Sequence, residues 1–283
     1  MNKIKIPSSE FVSWQASQAF YFLSKAFEEL ENVSEEFSNN TTGELFYPRK
    51  YRPIEYARAS FLSFCTLVEA YVHHISRSFF YSSQDSIHET LSLEEQLTFF
   101  GYNLENKDNQ DILKPLSIIK LLDNVPLLIN RINNTSITNR DEFKESIKQF
   151  ESLNSKRNYY THGCSPKIPK KLIGKDGNAK DLDKVRQWSD DFDNIEYINE
   201  SYENGEYKFC FEVPGKSWVK DLEEAYNCSK TCINLMRNFW VACFGSTPIH
   251  WWIEELDYKI LLKKTNHIPE TLKKLVIKDF GEF

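Results

Sequence analysis

The chain has 283 residues, of which 41% are hydrophobic and 14% aromatic, so it is not a disordered protein and can build one large domain or two small ones. Its formal net charge of −6 argues against an anionic membrane partner and against nucleic-acid binding over the whole surface, which leaves nucleic acid only a local basic patch. No apolar run approaches the roughly 18 residues that span a bilayer, and the first residues lack a secretory-signal pattern. We therefore expect a cytoplasmic protein with no membrane partner.

Two long amphipathic helices are predicted in the first part of the chain. The first follows Pro7, with Ser8 or Ser9 as its N-cap, and the second begins at Pro53. Their apolar stripes are formed by Val12, Ala16, Ala19, Leu23, Ala26, Leu30, Val33 and Phe37 in the first helix and by Ile54, Phe61, Cys65, Val68, Val72, Ile75 and Phe79 in the second. Two such helices, joined by a connection of this length, are expected to lie antiparallel in a bundle.

Residues 82–138 are predicted to form shorter helices. Ser92, with Glu95 three residues later, has the pattern of a capping box at the start of one of them. The apolar segment that follows contains Pro115 and Pro126. Both are expected to break the helical pattern, because proline lacks the amide hydrogen and its ring clashes with the preceding turn.

An insertion of different character occupies about residues 163–216, after a helix predicted over about residues 139–161. Lys, Gly, Asn and Asp cluster at its start. Further on, apolar and polar residues alternate on either side of Asn204 and Gly205, which is a favoured hairpin turn. We therefore predict a β-hairpin over about residues 196–213.

A last long helix follows the insertion, and a helical tail covers about residues 246–283. The stripe of the long helix consists of Trp218, Leu222, Ala225, Cys232, Met236, Phe239 and Cys243. The tail contains the aromatic segment IHWWIEEL, which is expected to pack on the body or on a partner. The fold class is thus predicted to be all-α, or mainly α: a single domain over residues 1–283, built as a bundle of long antiparallel helices with a small β-hairpin insertion.

The six cysteines are scattered and do not form a disulfide framework, so a reduced cytosolic setting fits best. Cys228 and Cys232 lie one helical turn apart, as two metal ligands would. Because no His or Cys pair elsewhere completes a site, we interpret them as buried structural thiols. The sequence predicts neither a bound metal nor a cofactor.

The segment SLNSKRNYYTHGCSPK, residues 152–167, contains the main cluster of chemically versatile side chains. The helix that leads into it has an apolar stripe, and the same spacing continues into polar residues; in order they are Phe143, Ile147, Phe150, Asn154, Arg157 and Thr161. A buried charge without a partner costs several kcal/mol. We therefore expect the polar end of this stripe to lie in a cleft, unless its function compensates for the cost of burial.

Arg157 and His162 have the chemistry that phosphodiester cleavage requires. A histidine moves a proton near neutral pH, and an arginine holds negative charge on phosphate oxygens. Together they suit attack by the RNA's own 2′-hydroxyl, which needs no metal. Residues five apart on a regular helix lie about 140° apart around its axis, so these two share a site only if the helix unwinds near Gly163 or if two chains contribute.

The run Arg157, Asn158, Tyr159, Tyr160, Thr161, His162 resembles the motif of the HEPN superfamily (higher eukaryotes and prokaryotes nucleotide-binding domains). In that motif an Arg near the end of a bundle helix is followed, after four to six residues, by a His. The segment ARASFLSFCTLVEAYVHHI resembles the early helix that faces the motif, with Glu69 as its acidic residue. The resemblance implies a helical homodimer that cleaves RNA without metal. It implies catalytic roles for Arg157 and His162, with Asn158 and Glu69 in support.

Residues beside the motif are candidates for contact with RNA: Lys156, Tyr159, Tyr160, Lys167, Lys170 and Lys171. The tyrosines would stack on bases, and the lysines would offset the acidity of the chain near the site. Structural roles stay open for the whole set. Arg157 and His162 are cations of the kind favoured at a helix C-terminus, Glu69 suits a salt bridge, tyrosines at a helix end often only pack, and a lysine run is often a solvated loop.

The sequence thus predicts a metal-independent HEPN-type endoribonuclease that acts as a homodimer on single-stranded or tRNA-like RNA, as a toxin or antiphage defence component. The alternative is a HEPN-fold protein without catalysis, which serves as a scaffold or as a nucleotide- or RNA-binding partner in a defence complex. Arg157 and His162 favour the first interpretation. The acidic charge and the large insertion favour the second. An antitoxin or a defence-system protein is the expected protein partner.

Overall fold

A computed structural model describes residues 9–39, 52–107, 110–162, 200–203, 206–209, 216–245, 258–265 and 267–282. The helices in these ranges are α1 (Ser9–Asn39), α2 (Arg52–Ser82), α3 (Gln84–Thr90), α4 (Leu93–Thr98), α5 (Ile118–Ile132), α6 (Arg140–His162), α7 (Lys216–Phe244), α8 (Tyr258–Lys263) and α9 (Glu270–Phe280). The strands there are β1 (Tyr102–Lys107), β2 (Gln110–Pro115), β3 (Glu200–Glu203) and β4 (Glu206–Phe209). The predicted fold class, mainly α with a small β insertion, is confirmed.

The core lies between the long helices α1, α2, α6 and α7. Their predicted apolar stripes are the buried faces: Ala19 and Leu23 of α1, and Val68 and Val72 of α2, are fully buried. α1 packs against α2, α2 against α7, and α7 against α6. Ser60 of α2 donates a hydrogen bond to the carbonyl oxygen of Ala19 at 3.1 Å. Burial of these stripes, more than helix propensity, stabilises helices in a bundle.

The prediction of short helices between α2 and α6 is wrong for residues 102–107 and 110–115, which form two paired β-strands. β1 and β2 pair antiparallel with Leu104 opposite Leu113. Gly101 precedes the hairpin with a φ of 83°, and a Cβ there would lie 2.8 Å from Cε1 of His73, so the position requires glycine. The strands pair mainly with each other and leave Leu113 54% exposed. The segment therefore lacks the alternation of apolar and polar residues that marks a half-buried strand.

Pro126 does not break the helical pattern as predicted, because it lies inside α5. The helix persists because its apolar face, which includes Val125 and Ile129, is fully buried on the core. Asn130 adds two anchoring hydrogen bonds from its Nδ2 atom, to the carbonyl oxygen of Pro126 at 2.8 Å and to that of Ala242 on α7 at 2.7 Å. Pro115 is the last residue of β2 and does not interrupt a helix.

The hairpin predicted in the insertion is present as β3 and β4, which pair antiparallel with Tyr202 opposite Tyr207. The rest of the predicted span, residues 196–199, 204–205 and 210–213, lies outside the described ranges. The helical tail is represented by α8 and α9. Its aromatic segment IHWWIEEL lies outside the described residues.

The described helices are amphipathic. α1 exposes Trp14 and Tyr21 to solvent and buries Ala16 and Leu23 on the opposite side. None of the described helices combines the length and the apolar composition that crossing a lipid bilayer requires.

Candidate functional site

α6 carries the candidate motif, and its first part is fixed by the core. Phe143, Ile147 and Phe150 are buried along one face, as the stripe predicts. Between them the buried Ser146 accepts a hydrogen bond from Nδ2 of Asn238 on α7 at 2.7 Å. α6 is therefore held as a continuous helix against α7, and it also packs against α2.

Glu69 of α2 meets Arg157 near the end of α6. Nη1 of Arg157 donates to Oε1 of Glu69 in a salt bridge, and to Oδ1 of Asn154 at 3.3 Å. The side chains of Arg157 and Glu69 are 25% and 29% exposed. The polar end of the stripe is thus half-buried, whereas its apolar part is buried. A carboxylate from the neighbouring helix compensates the charge of Arg157, which removes the cost of an unpaired ion.

This salt bridge joins two of the predicted catalytic residues, which are 88 positions apart in the sequence. A carboxylate that accepts from one guanidinium nitrogen limits the rotation of the arginine side chain. A guanidinium that is both oriented and partly exposed is suited to stabilise charge on a phosphate oxygen. The geometry of Glu69 and Arg157 is thus compatible with a catalytic pair, and equally with a bridge that only joins α2 to α6.

Lys156, a predicted RNA contact, forms a salt bridge of its own. Its Nζ atom donates to Oε1 of Glu224 on α7, and the side chains of Lys156 and Glu224 are 27% and 28% exposed. The carboxylate of Glu224 would compete with a phosphate for this lysine. Lys156 is therefore less suited to bind RNA than the sequence alone indicates.

α6 remains helical as far as His162. Because the helix does not unwind before His162, positions 157 and 162 lie about 140° apart around its axis. Within one chain, the backbone therefore does not put these two positions on the same face. The other predicted site residues are not described at the level of side chains: Asn158, Tyr159, Tyr160 and His162 in α6, and Lys167, Lys170 and Lys171 beyond it.

Three buried cysteines lie close to this salt bridge in the fold. Cys65, one helical turn before Glu69 on α2, joins Cys228 and Cys232 on α7, and the three Sγ atoms lie within 4.8 Å of one another. The Sγ atoms of Cys228 and Cys232 are 3.9 Å apart. All three thiols are free and fully buried. The expectation that Cys228 and Cys232 are buried thiols is confirmed, but the argument that no further ligand reaches them is corrected, because a different helix supplies Cys65.

The three thiols differ in acidity. The pKa of Cys65 is lowered to about 5, first by hydrogen bonds that Cys228 and Cys232 donate to its thiolate, and to a smaller extent by the positive charge of Arg157. Burial raises the pKa of both Cys228 and Cys232. Cys65 is therefore the thiol that loses its proton first, and its charge interacts with the predicted catalytic arginine.

No protein-family model, curated protein or solved structure matches this chain. The assignment of a function therefore depends on the residues and the geometry of the chain itself. Two features carry that assignment: the salt bridge between Glu69 and Arg157, and the helical course of α6 from Arg157 to His162.

Proposed function

We propose that this protein is a metal-independent endoribonuclease of HEPN type. The observation that carries the proposal is the position of Arg157, which Glu69 holds near the end of a long bundle helix that also contains His162. This is the arrangement of arginine, histidine and acidic residue that the resemblance of the sequence implies. We further propose that the protein works in the cytoplasm on single-stranded or tRNA-like RNA, as a toxin or antiphage defence component with an antitoxin or defence-system protein as its partner.

In the proposed reaction, the 2′-oxygen of a ribose attacks the adjacent phosphorus, and the bond from phosphorus to the 5′-oxygen breaks. His162 takes the proton of the 2′-hydroxyl and returns a proton to the leaving 5′-oxygen. Arg157 stabilises the negative charge on the non-bridging oxygens, with Glu69 orienting the guanidinium and Asn158 in support. Tyr159 and Tyr160 stack on bases. The products are a 2′,3′-cyclic phosphate and a 5′-hydroxyl.

The proposal includes a homodimer, because one chain does not complete the site. Positions 157 and 162 lie about 140° apart on a helix that stays regular between them. A two-fold axis near the ends of two α6 helices would bring Arg157 of one chain next to the partner's His162. The helical course of α6 thus supports a shared site over one in which a single helix unwinds.

The second candidate function is a HEPN-fold scaffold or a nucleotide- or RNA-binding partner without catalysis. The observation that favours it is again the salt bridge: Glu69 already neutralises Arg157, as it would in a bridge that only joins two helices. The Lys156–Glu224 bridge and the net charge of −6 also weaken the case for a strongly bound RNA. In this role the protein would bind a partner and leave RNA intact.

The experiment that separates the two functions is RNA cleavage by purified protein in excess chelator, with analysis of the product ends. Catalysis by a 2′-hydroxyl leaves a 2′,3′-cyclic phosphate or a 3′-phosphate opposite a 5′-hydroxyl. A circular dichroism spectrum taken in the same buffer controls for loss of fold. Intact RNA under these conditions excludes the metal-independent endoribonuclease and leaves the scaffold. Cleavage that requires a divalent metal contradicts both candidate functions.

A further inference from the structure

We propose that Cys65, Cys228 and Cys232 form a binding site for one thiophilic d10 divalent cation, of which Zn²⁺ is the physiological example. This site lies in the core between α2 and α7 and takes no part in the proposed cleavage of RNA. Its role is to join the two helices. The inference does not depend on whether the protein is an endoribonuclease.

The distances between the sulfur atoms fit the coordination of a single metal ion. Three sulfurs bound at about 2.3 Å to one metal ion lie roughly 3.8–4.0 Å from one another. The Sγ atoms of Cys228 and Cys232 are 3.9 Å apart, and all three Sγ atoms lie within 4.8 Å of one another. The difference from the ideal spacing is therefore at most about 1 Å.

The scaffold that carries the three thiols is rigid. Cys228 and Cys232 project from successive turns of α7, and Cys65 comes from α2, which packs directly against it. All three residues are 0% exposed. Since helices hold their side chains more precisely than loops do, the site requires little rearrangement before it binds an ion.

The chemistry of the donors selects the class of ion. Three sulfurs exclude Mg²⁺ and Ca²⁺, which bind oxygen, and favour thiophilic ions. Three thiolates bound to one divalent cation give a complex with a net charge of −1. A monovalent ion such as Cu⁺ would leave a net charge of −2 in a fully buried site. The smaller charge costs less to bury, and the positive charge of Arg157, which already lowers the pKa of Cys65, offsets part of it.

The carbonyl oxygen of Phe61 lies 3.9 Å from Sγ of Cys228. It is a neutral oxygen next to Cys228, and it comes from the same helix as Cys65. A borderline-soft ion such as Zn²⁺ accepts an oxygen as well as sulfur ligands. This carbonyl is therefore the candidate for a fourth, weak contact, and the core supplies no charged group for that position among the described residues.

The test is a titration of the full chain with Cd²⁺, which reports sulfur ligation through its thiolate-to-metal absorption band. Cys164 and Cys210, which lie outside the described residues, are first replaced by alanine in every protein compared. We expect one Cd²⁺ per chain, displacement by Zn²⁺, and a higher melting temperature in the presence of the ion. Cys65→Ala and Cys232→Ala should each lower the affinity for Cd²⁺ by about 100-fold or more. Even residues that only hydrogen-bond to a metal ligand change the metal affinity by about 10-fold to 100-fold when they are removed.

Cys243→Ala is the matched control, because Cys243 is also a fully buried free thiol on α7 but is not part of the cluster. It should bind Cd²⁺ as the parent does. X-ray absorption of the loaded parent gives a second measurement that needs no variant to fold, and it should show three sulfur ligands. The proposal is overturned by an absent absorption band, by equal binding in Cys65→Ala and the parent, by fewer than three sulfurs, or by binding of Cu⁺ alone.

Discussion

Two arginine–glutamate pairs in the bundle differ in what surrounds them. Arg131 of α5 binds Glu95 of α4 through two hydrogen bonds, from Nη1 to Oε1 at 2.8 Å and from Nη2 to Oε2 at 2.7 Å. Glu95 also completes the predicted capping box with Ser92, and Arg131 donates to the carbonyl oxygen of Thr90, the last residue of α3. The contacts of this pair all serve the ends of helices, so its structural role explains them.

In the pair of Arg157 and Glu69, the contacts of Arg157 with Glu69 and Asn154 are between side chains, and neither is to a backbone group at a helix end. This pair joins the middle of α2 to the last turns of α6. The positive charge of Arg157 also lowers the pKa of the Cys65 thiol. The comparison shows that an ion pair becomes a functional candidate through its surroundings and not through its residue types. The two pairs are therefore natural controls for each other.

The largest difference between the pairs is expected in activity. Arg157→Ala should lower the rate of RNA cleavage by about 100-fold to 1,000-fold, the usual loss when a group that stabilises transition-state charge is removed. Arg131→Ala should leave the rate unchanged and lower the free energy of unfolding by about 1 kcal/mol, because its salt bridge is partly exposed. Cleavage rates and urea unfolding of both variants are the measurements. Equal cleavage rates for the two variants would remove the functional distinction between the pairs.

Mixing two inactive variants tests whether Arg157 of one chain and His162 of the other form one site across a dimer. Arg157→Ala and His162→Ala chains, unfolded and refolded together in equal amounts, form heterodimers in which one of the two shared sites is intact. About a quarter of the wild-type activity should return if the site combines residues from both chains. Light scattering controls for dimer formation. No recovery in a mixture that forms dimers would assign both residues to one chain and refute the shared site.

The smallest effect is expected at the pair of Arg131 and Glu95, and it is a dependence of the free energy of unfolding on pH. The pKa of Glu95 is lowered to about 2, first by the hydrogen bonds from Arg131 and then by the backbone N–H of Ser92. Its stabilising contribution is therefore complete above the ordinary carboxyl pKa of about 4.5 and is lost as the pH falls toward about 2. Glu95→Gln should lower the free energy of unfolding by about 1 kcal/mol at pH 7.

The control for this pH effect is Glu94→Gln, which removes a neighbouring exposed carboxylate of the same helix. The stability difference between wild type and Glu95→Gln should narrow as the pH is lowered from 4.5 toward 2, whereas Glu94→Gln should differ little from wild type throughout. A Glu95→Gln deficit that stays constant over this range would contradict the lowered pKa.

The sequence predicts the long helices well because their burial is periodic. Ala19, Val68 and Phe239 occupy stripes that repeat every three or four residues, and each is fully buried in the bundle. The capping box of Ser92 and Glu95 is local and is confirmed for the same reason. Patterns that span a few turns of one element are thus sufficient to place these features.

Sequence patterns do not predict the features that depend on contacts between residues far apart in the chain. Strands β1 and β2 lack the alternation of apolar and polar residues because they pair mainly with each other, and Leu113 stays exposed. Cys65 and Cys232 lie on predicted stripes, which indicates that both face the core, but their meeting depends on how far α2 is shifted along α7. That shift is fixed by packing between helices and has no local sequence signal.

The rate of RNA cleavage by His162→Ala, measured beside wild type in excess chelator, tests the central claim most directly. A general acid–base group contributes about 100-fold to 10,000-fold, so the variant should lose at least 100-fold in rate while its melting temperature and dimer content stay close to wild type. His267→Ala, which removes an exposed histidine elsewhere, should cleave at the wild-type rate. If His162→Ala cuts RNA as fast as wild type, the end of α6 is not the catalytic site.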